Sequence, residues 1–111
     1  MNNRTIHLKK IFPDIDFIGT RASGEKIRAI MEQAFENNNT VTLDFKNIAG
    51  INQTFADEII GIFIRYHGKE FIKSKIKAIN YNDEIKEVMN WVVSYSSKWH
   101  RENFNKIKAY A

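Results

Sequence analysis

Apolar residues recur along this chain with two different spacings, and the switches between them mark out its elements. Thr5-Ile-His-Leu-Lys9 alternates, with Ile6 and Leu8 on one side, which predicts a first strand near a sheet edge. Ile11 and Phe12 extend the run until Pro13 breaks it, and Asp14 to Ile18 alternates again as a short second strand. Gly19 to Gly24 turns the chain, with Ser23 as the predicted N-cap. Ile27, Ile30, Met31, Ala34 and Phe35 then lay one apolar stripe along a helix that Asn37, Asn38 and Asn39 stop. From Thr40 to Phe45, Val41, Leu43 and Phe45 alternate with Thr42 and Asp44, the pattern of a half-buried central strand. Ile48 and Ile51 in the following loop are expected to tuck onto the core. Thr54-x-x-Asp57 has the spacing of a capping box, so Thr54 is expected to open the second helix.

That second helix carries two apolar rows. Phe55, Ile59, Ile62, Phe63 and Tyr66 mark one side, and Ala56, Ile60 and Ile64 mark the next, an arc wider than a surface helix shows. It is therefore either deeply buried or meets a partner. Gly61 in its middle weakens it by about 1 kcal/mol relative to alanine, which points to close approach by a neighbouring backbone. His67-Gly68 ends the helix, a basic linker follows, and Lys75-Ile-Lys-Ala-Ile79 reads as another strand with Ile76 and Ala78 on one face. Asn82 is placed to cap a third helix, Asp83 and Glu84 complement its positive end, and Tyr81, Ile85, Val88, Met89, Val92 and Tyr95 keep helical spacing. Trp99, Phe104, Ile107 and Tyr110 either prolong this helix or fold back as an arm.

Strands alternating with helices predict an α/β sandwich, because parallel strands need helical crossovers: a mostly parallel or mixed sheet of about four strands with three or four helices. With 111 residues, 43% of them hydrophobic, the chain suffices for one modest core. Residues 1–97 are read as one domain and 98–111 as a basic aromatic extension. No run approaches the roughly 20 apolar residues of a membrane span, and the opening residues do not form a secretory leader. The absence of cysteine excludes disulfides and thiolate chemistry and agrees with a cytoplasmic location.

The net charge of +4 is unevenly spread. Lys98, Arg101, Lys106 and Lys108 against Glu102 put +3 on the last fourteen residues, and Lys69, Lys73, Lys75 and Lys77 form a second cluster offset by Glu70. Solvated lysine on a strand edge and helix face is the common meaning of such clusters; a nucleic-acid or acidic-protein contact is the functional one.

Gly19-Thr-Arg-Ala-Ser-Gly-Glu-Lys26 imitates a phosphate-binding loop, but Glu25 stands where the motif needs lysine, so the segment reads as a helix-entry turn with Arg21 as an exposed charge. His7, His67 and His100 lack the spacing of a metal site. Asp57 and Glu58 are adjacent, hence divergent on a helix, with no nucleophile and base pair beside them; no enzyme, metal or cofactor is expected. Trp91 and Trp99 read as packing residues or interface anchors. A phosphate on Thr54 would gain from the helix N-terminus and lose from Asp57 and Glu58.

Leu43-Asp-Phe-Lys-Asn-Ile-Ala-Gly-Ile-Asn-Gln-Thr-Phe-Ala-Asp-Glu-Ile-Ile-Gly61 resembles the central motif of STAS-like domains, relatives of anti-sigma-factor antagonists and of the STAS domains of sulphate transporters. Gly19-Thr-Arg21 and the helix after it are similar to the upstream arginine element of the small bacterial STAS-like family, and the likeness spans roughly residues 5–95. The resemblance implies a non-enzymatic bacterial signalling module that binds a GHKL-type ATPase or kinase partner through residues 46–60, with Arg21, Asn52, Gln53, Thr54, Phe55, Asp57 and Glu58 as contacts. It puts Thr54 at the phosphoacceptor position, with Asn52, Gln53 and Phe55 where antagonists usually have Asp, often Ser, and Gly. The alternative is a small basic nucleic-acid-binding or nucleoprotein accessory protein using Lys69–Lys77 and the C-terminal tail. A third reading is a homodimer joined by the Trp99–Tyr110 arm.

Overall fold

The alternating strands combine into a sheet with one dry and one wet face. The computed structural model describes residues 2–110, with side chains through Asn103. The elements are β1 (Asn3–His7), α1 (Leu8–Ile11), β2 (Phe17–Ile18), α2 (Arg21–Glu36), β3 (Thr40–Asp44), β4 (Gly50–Ile51), α3, α4 (Lys69–Lys75), β5 (Ile76–Ile79) and α5 (Asp83–Tyr110). Helix α3 is one rod in three parts: Gln53–Ala56 is α-helical, Asp57–Gly61 is π-helical, and Ile62–His67 is α-helical again. The main sheet is parallel with order β1-β3-β5, and β2 pairs with β4, also in parallel, as a separate two-stranded sheet. The architecture is the expected α/β class with five strands and five helices among the described residues, the elements beyond those expected being β4, the single-turn α1 and the two-turn α4.

Register decides which face is dry. Ile6, Leu43 and Ala78 stand side by side, as do Val41 and Ile76, and this face meets the core. On the other face Thr5, Thr42 and Lys77 align, and the Asn3 side-chain Oδ1 accepts from Thr40 Oγ1 at 2.9 Å and Thr42 Oγ1 at 3.1 Å. Helix α3 lies between α2 and α5 and packs against both, so it needs apolar residues on more than one side. Phe55, Ala56, Ile59, Ile60, Phe63 and Ile64 are all buried, which accounts for the wide arc in the sequence; Tyr66 falls outside it and is exposed. The π-turn accommodates this, because one extra residue in the turn rotates the rows that follow.

Several local expectations are corrected. Leu8 leaves the first strand to begin α1, yet stays fully buried. Lys69–Lys75, read as a linker, is helical, and Phe71 anchors it by stacking with His67 and packing edge-on against Phe35. Thr20, not Ser23, caps α2: its hydroxyl accepts from the Ser23 N–H at 3.0 Å. Gly68 ends α3 with φ +88°, a conformation that favours glycine, and donates its N–H to Ile64. Asn82 caps α5 as expected, accepting from Ile85 N–H at 2.9 Å. α5 continues without a break through residue 98, and His100 bonds the Arg65 carbonyl at 2.9 Å. The side chains of Phe104, Ile107 and Tyr110 lie outside the described residues.

Asp44, expected on the polar side of its strand, is buried. Its carboxylate joins the carboxyl ends of all three main strands: His7 lies 2.9 Å away, Asn80 donates at 2.9 Å, and the Lys46 N–H donates at 3.0 Å. The Asn80 hydrogen bond above all, then those from Lys46 and His7, holds its pKa below the ordinary carboxylate range against the opposing effect of burial. A lowered folded pKa means the unfolded chain binds the proton more readily. The resulting stabilisation is fully present above the unfolded pKa and is lost as pH falls through the folded one. Urea midpoints measured from neutral pH downward should therefore fall in acid, and Asp44→Asn should flatten that limb; an unchanged limb would show that Asp44 is not its source.

Candidate functional site

Two helix N-termini are brought together on one side of the molecule. Asn52, not Thr54, is the N-cap of α3: its Oδ1 accepts from the Phe55 N–H at 2.9 Å. Its Nδ2 donates to the Gly19 carbonyl at 2.7 Å, in the turn that leads into α2, so one side chain caps one helix and braces the start of the other. The N-cap thus lies two residues before the predicted one, and the expected capping box does not form, since Phe55 occupies the third helical position. An asparagine side chain supplies both acceptor and donor, which threonine at position 54 does not do here.

The two helices also approach closely. A Cβ on Gly24 of α2 would sit 2.5 Å from the Cβ of Glu58 on α3, nearer than side chains pack. Glycine there lets Glu58 lie almost wholly buried, where it is paired with Arg28 of α2 and has Arg21 Nε 3.9 Å away. Asp57 is held differently. Arg65, two turns further along α3, grips it with both terminal nitrogens, at 2.9 Å for the second contact, and also donates to Ser96 Oγ at 3.3 Å. The hydrogen bond to the Asp57 carboxylate raises the Arg65 pKa above its ordinary value, so the guanidinium keeps its charge. A Cβ on Gly61 would collide with Asp57 Oδ1, Ser96 Oγ and Val92 Cγ1; the close approach predicted there is by side chains, two of them from α5, rather than by a backbone.

Above these pairs lies a cleft of about 280 Å³ lined by Arg21, Gln53, Thr54, Asp57, Glu58, Trp91, Val92 and Tyr95. Five of the seven predicted contact residues line it together. Asn52 sits beneath as a half-buried brace, and Phe55 is fully buried in the core, with no surface to offer a partner. Residues 46–60 do not act as one surface: Lys46 and Asn47 line a separate cleft with His7, Lys9, Lys10 and Asp44. Thr54 is exposed, and its hydroxyl has no hydrogen-bond partner among the described residues. Arg21 is also largely exposed, at 73% of its side-chain surface.

The sequence reading missed Arg28 and Arg65, which neutralise the two carboxylates, because the pairs join residues 30 and 8 positions apart. It also missed the second wall, where Trp91 and Tyr95 stack in parallel with ring centres 5.4 Å apart. Their i,i+4 spacing was the available signal.

A parallel α/β layer with a helix-start cleft and no helix, among the described residues, long and apolar enough to cross a membrane is the frame in which the comparisons fall. Residues 23–86, more than half of the chain, match the sequence profile of the STAS-like domain of unknown function, and the chain belongs to that family. No curated protein and no solved structure matches the chain significantly.

Proposed function

We propose that this chain is a non-enzymatic, cytoplasmic bacterial signalling module that docks a GHKL-type ATPase or kinase through the α3 N-terminus and is switched by phosphorylation of Thr54. One observation carries the reading. Thr54 has no structural task as a cap, and it stands exposed over carboxylates that are already neutralised by Arg65 and Arg28. The repulsion from Asp57 and Glu58 that weighed against a phosphate in the sequence is therefore compensated, and Arg21 remains at the cleft rim as a counter-charge. Added phosphate would put about −2 charges into a contact surface and weaken docking there by desolvation.

The test is mass spectrometry for phosphate on Thr54 after incubation with the candidate kinase and ATP, beside binding of that kinase to Thr54→Glu and Thr54→Ala. Phosphate on Thr54 and about tenfold weaker binding of Thr54→Glu, with Thr54→Ala near wild type, is the expected result. No phosphate together with unchanged binding of Thr54→Glu removes the switch.

The nucleic-acid alternative has its own observation: Lys73, Lys75 and Lys77 line one shallow cleft with Asn3, Thr40 and Thr42 at the amino ends of the strands. It requires binding that falls steeply with salt and with loss of those lysines.

A further inference from the structure

Trp91 stands between two adjoining clefts. It shares the first with Tyr95, and with Gln53, Glu84, Glu87 and Val88 it lines a second, also of about 280 Å³. The indole and the Tyr95 ring are nearly coplanar in orientation, 3° apart, yet remain 51% and 54% exposed. Tyr95 stacks on the indole, and the second cleft is lined by Trp91 without Tyr95. Glu87 lies four residues before Trp91 and Glu84 seven before it, so both carboxylates rise on the same side of α5 as the ring. Asp57 and Glu58 in the first cleft are committed to arginines, whereas Glu84 and Glu87 make no ion pair among the described residues. In a chain of net charge +4 this is a locally acidic aromatic face.

An indole face with two uncompensated carboxylates beside it attracts a cation through the ring quadrupole and through charge, and repels an anion for both reasons. A planar guanidinium suits it better than an ammonium, since it can stack on the ring while its edge donates to a carboxylate. We propose that this face receives an arginine-bearing segment of a protein partner, with the guanidinium on Trp91 and Glu84 or Glu87 accepting its hydrogen bonds. The proposal rests on the docking reading above and adds to it the chemistry of the partner's anchor.

The test needs no kinase. The ¹⁵N-labelled full chain is titrated with acetylated, amidated tetra-arginine, tetra-lysine and tetra-citrulline, and the indole N–H of Trp91 is followed with that of Trp99 as internal reference. The expected result is a saturable shift of Trp91 with tetra-arginine, a weaker one with tetra-lysine and none with tetra-citrulline. Glu84→Gln with Glu87→Gln should weaken tetra-arginine binding about three- to tenfold, and Trp91→Ala should abolish it while the remaining spectrum keeps the native dispersion. No Trp91 response, an equal response to tetra-citrulline, or unchanged affinity in the double glutamine variant overturns the proposal. The two readings fail separately. Kinase binding sensitive to Thr54→Glu without an arginine response overturns the anchor alone, and an arginine response with kinase binding indifferent to Thr54→Glu overturns the switch alone.

Discussion

Phe55→Ala lowers the stability of the fold by about 3–5 kcal/mol, because it removes a fully buried ring and leaves a cavity that rigid neighbours close only in part. The ring sits on the first turn of α3, the helix wedged between α2 and α5, where collapse of one wall would have to move two helices. The helix cap is not the cause of the loss, since the Phe55 N–H that Asn52 accepts is still present in the variant. Phe55→Leu keeps most of the volume and should cost about 1.5 kcal/mol or less. Urea unfolding measures both. A shift of the midpoint at constant slope is the expected form, and a loss below about 1 kcal/mol for alanine would return Phe55 to the surface role that its place in the motif suggested.

Arg28→Met is the second large effect. It strands Glu58, whose side chain is 11% exposed, without its close partner. Removing one member of a buried pair leaves an uncompensated charge, and breaking such pairs costs about 3–5 kcal/mol. Arg28 is itself 25% exposed and Arg21 stands 3.9 Å from Glu58, so about 2–4 kcal/mol is the expectation here. The double variant Arg28→Met, Glu58→Met should recover most of the loss, because two apolar side chains need no partner. A double-mutant cycle in calorimetry or urea separates the cases: additive losses would mean that the pair is not coupled. The pair also matters to Thr54, since Arg28→Met would leave a phosphate there beside an uncompensated carboxylate.

Much of the architecture was legible because it depends on short-range pattern. The strand through Leu43, the apolar stripe from Ile27 to Phe35, the Asn82 cap and the His67-Gly68 stop each involve residues within a few positions of one another. Arg21, Gln53, Thr54, Asp57 and Glu58 were grouped by their nearness to one helix start, and they do line one cleft. The cap was misplaced because Thr54 and Asn52 are both good capping residues. The choice between them turns on the Gly19 carbonyl, 33 residues away, to which Asn52 can donate. Asp44 was read by alternation as a solvent-facing residue, but His7 and Asn80 bring hydrogen bonds to it from the neighbouring strand ends.

By itself, then, the sequence determined the alternation of strands and helices, the α/β class, and the strand-loop-helix on which the family likeness rests, since periodicity and turn chemistry are local. Tertiary structure alone decided the partners of the charges. Glu58 meets Arg28 because Gly24 lets two helices touch, and Asp57 meets Arg65 across the π-turn of α3, where the space that Gly61 leaves brings Ser96 of α5 to the same guanidinium. Whether Thr54 overlooks repelling carboxylates or neutralised ones depends on those two pairs, whose arginines both lie outside the motif.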